Sequence, residues 1–162
     1  MRKAIQFGDR PSRTKSSKGF SLIELLIVVA IILIIAAIAI PNFIHARMAA
    51  NESAAVSSIH AINTAEITYS SANPLIGYSV LLTDLGPAGA NYIDNVLAGG
   101  TKSGYAFTYV QSVVDIPSDG YTLNADPITR GVTGQRSFFS NQQNITRYNV
   151  TAVAGVGDPP IQ

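Results

Sequence analysis

The chain has 162 residues, 13% of them charged, with a net charge of +1 and no cysteine. Without a thiol it has no disulfide, no thiolate metal site and no cysteine nucleophile, so its fold must hold by packing and hydrogen bonds alone. The near-neutral total hides an asymmetry: residues 1–19 carry six basic side chains against Asp9, and the remainder carries five basic and nine acidic ones, too few cations for a strong nucleic-acid surface.

The basic stretch (Arg2, Lys3, Arg10, Arg13, Lys15, Lys18) is followed by Phe20 to Ile40, in which only Ser21 and Glu24 are polar. As a helix, this segment rises about 30 Å, the thickness of a hydrocarbon core. Positive charge ahead of an apolar span stays on the cytoplasmic side, so the residues after Pro41 are expected outside the cytoplasm. The apolar run is long for a secretory signal. Its end, Ile38-Ala39-Ile40-Pro41-Asn42, has no good small-x-small cleavage site, so removal of the whole segment is not expected.

Pro41 takes one amide donor out of a helix and clashes with the carbonyl of Ala37, which predicts a kink or local loosening. Nine of the sixteen residues from Leu25 to Ile40 are β-branched, which lowers helix propensity there. From Asn42 to about Ser71 no glycine or further proline interrupts. Ala55, Ile59, Ile62, Glu66 and Tyr69 recur at helical spacing, one stripe of an amphipathic helix. Ala46, Ala49, Ala50, Ala54 and Ala61 keep other parts of its surface small. Asn73-Pro74 is the expected stop.

Beyond Pro74 the texture turns to glycine, proline and tyrosine. Tyr78–Leu85 and Tyr92–Ala98 are each expected to form a helical turn or two, closed by Gly86 and Gly99. Tyr105–Val110, Gly120–Ala125 and Arg136–Ser140 read as strands, with Ile145–Val150 as a fourth. Turn residues separate them, which predicts an antiparallel meander. The fold class is therefore α+β: a long N-terminal α-helix, its amphipathic half packed on a small C-terminal antiparallel sheet of three to four strands.

The run Lys18-Gly19-Phe20-Ser21-Leu22-Ile23-Glu24, the basic leader before it, the apolar helix, Pro41 and a small C-terminal sheet together resemble a type IV pilin or the related type II secretion pseudopilins. The local likeness runs from Lys18 to Phe43. The resemblance implies a cytoplasmic leader (1–19) removed by a prepilin peptidase between Gly19 and Phe20, with N-methylation of Phe20. It further implies a transmembrane and fibre-core helix (20–41), an amphipathic helix entering the head (42–72), and a globular head of loop plus sheet (73–162). Glu24 lies one helical turn from Phe20 and would pair with its new amine, fixing register between subunits. Pro41 would serve assembly. The implied partners are other copies of the chain in a helical homopolymer, the peptidase, an inner-membrane assembly platform and the membrane. The implied location is the bacterial inner membrane, then a fibre outside it. A major-type pseudopilin shares these features. A reading of another class, an unprocessed single-pass anchored binding module, would keep residues 1–19 and form no fibre.

No catalytic constellation is expected. His45 and His60 stand fifteen residues apart with no ligand pattern, the serine pairs lack a nucleophile elbow, and the glycines form no phosphate loop. No cofactor is expected. Calcium is a weak candidate, at Asp115, Asp119 and Asp126, if the meander brings these acids together; their spacing is not an EF-hand. Asn51-Glu52-Ser53, Asn144-Ile145-Thr146 and Asn149-Val150-Thr151 match the N-glycosylation pattern.

Overall fold

The computed structural model describes residues 19–112 and 117–161. The chain divides into two units, Met1–Ala39 and Ile40–Gln162. In the first, helix α1 (Leu22–Ala72) begins and carries the apolar run. Every large apolar side chain from Leu22 to Ile38 is exposed, and the segment is long and apolar enough to cross a membrane.

In the second unit α1 continues from Ile40 to its end at Ala72, one residue before the expected stop. Asn73 closes it, its side-chain amide donating to the Tyr69 carbonyl at 2.9 Å. A short 3-10 turn (Leu82–Leu85) and α2 (Asn95–Ala98) follow, inside the two segments expected to be helical. Asp94 caps α2 by accepting from the amides of Val96 and Leu97, which excludes Tyr92 and Ile93 from the helix.

The sheet has five strands in sequential order, β1 (Thr101–Lys102), β2 (Tyr105–Gln111), β3 (Tyr121–Pro127), β4 (Ser137–Asn141) and β5 (Arg147–Asn149), every neighbour antiparallel. The meander is as expected, but three to four strands is a low count. The additional one, β1, is two residues long and carries no apolar alternation to announce it. Ser103 and Gly104, both with positive φ, turn it back onto β2.

One face of α1 supplies the core that the residues after Asn73 lack. Ala55, Ile59, Ile62 and Glu66 of the expected stripe are fully buried, and Tyr69 packs at the margin. They meet Leu82, Leu85, Leu97, Tyr105, Tyr121, Leu123 and Phe138. Burial of each such side chain contributes about 1.5–3 kcal/mol before entropy is counted.

Polar side chains on the same helix face fix its register on the sheet. The Glu52 carboxylate accepts from the backbone amides of Gln135 and Arg136, at 2.8 and 3.1 Å, and from the Arg136 guanidinium at 2.7 Å. Asn63 donates to Ser140 Oγ and accepts from the Tyr121 hydroxyl. Glu66 accepts from the amide and hydroxyl of Ser79, tying the segment after the helix back onto it. Burial pushes the Glu66 carboxyl above its usual range, and the two Ser79 hydrogen bonds offset only part of that.

Gly77 takes φ +82° where its backbone lies directly on that of Ser118, a place with no room for a Cβ. The C-terminal tail returns along β5: the Tyr148 amide donates to the Pro159 carbonyl and the Ile161 amide to that of Thr146. Asp158 locks the turn, accepting from Asn149 Nδ2 at 3.0 Å and from the Gly155 amide at 2.8 Å, while Arg147 donates to the Asp158 carbonyl. These bonds close the tail in a chain without cysteine. Asp158→Ala is expected to cost about 1–2 kcal/mol of head stability and to raise amide exchange from Tyr148 to Ile161 selectively; hydrogen-exchange mass spectrometry reads both.

Candidate processing and assembly site

Gly19, Phe20 and Ser21 precede the helix in non-helical conformation, all exposed, with Phe20 79% accessible. Ser21 is the N-cap position. Its carbonyl accepts the first helical hydrogen bond, from Leu25, and its amide donates to the Glu24 carboxylate at 2.9 Å. Ser-x-x-Glu is the spacing of a capping box, in which the acid at the third helical position satisfies the cap amide and complements the positive end of the helix dipole. Glu24 is thus engaged rather than unpaired, and it holds the helix start at Leu22. The Gly19–Phe20 peptide bond is left outside the helix, with nothing within 4 Å of a side chain built at Gly19. The role of Ser21 escaped the sequence reading, although the Ser21-Leu22-Ile23-Glu24 spacing signals it.

Pro41 lies inside α1, which remains helical on both sides, so it does not end the helix. From Ile40 to Ala50 the helix has no cover from its own head except at Met48, which is partly covered. His45 and His60 are both exposed.

Of the three calcium candidates, Asp119 and Asp126 do not converge. Asp119 precedes β3 and Asp126 stands near its far end, so the six intervening residues, mostly extended, set them about 20 Å apart, against metal–oxygen bonds of about 2.4 Å. Asp115 lies outside the described residues. Among the described residues no three His, Cys, Asp or Glu side chains gather as a metal site. Of the three glycosylation patterns, Asn51 and Asn149 use their side-chain amides within the fold, on Thr133 and Asp158, while Asn144 is exposed at a turn with φ +59°.

Residues 14–40 match the family model of the prokaryotic N-terminal methylation motif. A type IV major pilin of Myxococcus xanthus is 51% identical over 53 residues, which are 33% of this chain and 24% of the relative. The N-terminal segment is similar to that of type IV pilins. A type IV wide pilus major component of Thermus thermophilus is 60% identical over 38 residues, 24% of this chain and 29% of the relative. A fimbrial protein of Pseudomonas aeruginosa is 53% identical over 51 residues, 32% of this chain and 33% of the relative. The pilin matches thus span a quarter to a third of these curated relatives. No solved structure matches the chain at a significant level. Pilins are structural proteins, and the long apolar helix followed by an antiparallel sheet is a pilin-like architecture.

Proposed function

We propose that the chain is the precursor of a major-type type IV pilus subunit. In this reading it is cut between Gly19 and Phe20, methylated at Phe20, and polymerised through its N-terminal helix. The observation that carries the proposal is the methylation motif at the head of an uncovered apolar helix, with the proposed scissile bond held outside the helix by the Ser21–Glu24 cap. An inner-membrane precursor and a fibre outside the cell follow from it, with the prepilin peptidase and an assembly platform as partners. After cleavage the Phe20 amine sits one residue from the amide that Glu24 already accepts. The same carboxylate then offsets the new positive charge, either within the subunit or across to a neighbour.

The curated relatives carry pilus names, which favours the pilus over a secretion pseudopilus. The dispersal of Asp119 and Asp126 removes one argument for a calcium-dependent pseudopilin head. The deciding measurement is the intact mass of the protein in sheared surface filaments. Loss of residues 1–19 plus one methyl group, in filaments that persist in a calcium chelator, supports the pilus. Absence of surface filaments combined with a chelator-sensitive head supports the pseudopilus. Retention of residues 1–19 with no filaments supports the anchored module.

Glu24→Val removes both the cap and the counter-charge. Filament yield is expected to fall at least tenfold, with precursor cleavage largely retained. Wild-type yield would reduce Glu24 to a helix cap alone.

A further inference from the structure

Among the described residues from 40 to 161 almost every exposed charge is engaged inside the chain. Lys102 bonds Asp94, Arg136 bonds Glu52, and Arg130 and Arg147 donate to backbone carbonyls. Arg47 and Asp119 are the exposed charges with no hydrogen-bond or ion-pair partner among the described residues. They belong to opposite ends of the unit. Arg47 sits on the uncovered part of α1, one turn from Phe43 and Ile44, which are 67% and 42% exposed. Asp119 is held beyond the C-terminal end of α1, because the neighbouring Ser118 amide donates to the Ile76 carbonyl at 2.9 Å and Ser118 bridges Gly77. Leu75 and Ile76, 83% and 45% exposed, share that end. Each end therefore joins an apolar patch to one unengaged charge, and the two charges are opposite in sign. Exposed apolar patches of this kind mark interaction surfaces.

We propose that the Phe43–Arg47 surface of one copy docks on the Leu75–Ile76–Asp119 surface of a second, with Arg47 facing Asp119. The proposal rests on the polymerising-pilin reading and names the contact between subunits. Two different surfaces that complement each other make a head-to-tail interface. Such an interface leaves a free donor end and a free acceptor end after every addition, and so generates an open filament. The 25 helical steps from Arg47 to Ala72 set an axial offset of about 40 Å between the contacting copies. The ion pair supplies orientation and the apolar residues supply area.

The absence of native cysteine makes the contact directly readable. Ala50→Cys, on the Arg47 face, combined with Pro117→Cys, beside Asp119, is expressed as the full chain in piliated cells and treated with a short bismaleimide. A ladder of multimers is expected from the double variant, with each single variant remaining monomeric because the contact brings no second thiol to face its own. In parallel, Arg47→Asp and Asp119→Arg are each expected to lower filament yield about fivefold, with the combined swap recovering most of it. No ladder, or a combined swap no better than either single change, overturns the contact. Intact mass separates this from the underlying reading. Mature mass without a ladder sinks the contact and leaves the pilin reading standing. A ladder built from full-length chains sinks the processing step and leaves the contact standing.

Discussion

Gly19→Val is expected to leave the chain at full length in the membrane, with filaments reduced below detection. The substitution is expected to leave the fold undisturbed, since among the described residues nothing beyond the chain neighbours lies within 4 Å of a Cβ at this position and the residue is exposed outside the helix. Any loss therefore reports recognition by the processing enzyme rather than damage to the substrate's fold. A β-branched side chain at the residue donating the scissile carbonyl crowds the approach to that carbonyl, where glycine offers none. Mass spectrometry of membrane fractions measures the outcome. Normal trimming of Gly19→Val would move the cleavage site elsewhere and withdraw Phe20 as the mature terminus.

Glu52→Ala is expected to destabilise the head by about 3 kcal/mol, because it strands two backbone amides and a guanidinium that now share one carboxylate. In a unit of this size that lowers the melting temperature by about 10 °C. Glu52→Gln keeps an acceptor and should cost less. The pH dependence has a definite sign. Burial alone would raise the Glu52 pKa, but the hydrogen bonds from Gln135 and Arg136 and the Arg136 charge together outweigh it and hold the carboxyl below its usual value. Its stabilisation is therefore complete above the ordinary glutamate range, near about 4.3, and is lost as pH falls through the lower folded value. Thermal unfolding in detergent between neutral and strongly acid pH should show the wild type losing this increment and Glu52→Ala having none to lose. Parallel pH profiles for the two would remove Glu52 from its latching role.

Local signals in the chain carried most of the architecture. The α1 stripe and its stop at Asn73 are periodicity and proline chemistry, and β2, β3 and β4 alternate or cluster aromatic residues between turn residues. Tertiary pairing was not legible. Glu52 looks like an ordinary exposed helix acid until Arg136 is placed against it, 84 residues on, and Asn63 until Ser140 is, 77 residues on. Asp94 ends its helical segment by a cap that composition does not announce, and β1 is too short to show a pattern. At the candidate site, Gly19, Phe20 and Glu24 stood out through their motif, whereas the cap formed by Ser21 depends on reading the same residues as a helix start. Asp119 and Asp126 share turn-rich surroundings in the sequence, but the extended geometry of β3 keeps them apart.

The returning tail has a consequence for how heads can associate. With residues 159–161 laid along β5, that border of the sheet offers no run of free backbone groups to another chain. That border is thereby closed to strand addition, and to the near-irreversible cross-β ladders that such addition seeds. On the proposed pilus reading, a neighbour that docks at this border does so through side chains. A fibre joined there in that way would come apart into intact, reusable subunits, because nothing at this border has to unfold for the bond between heads to break.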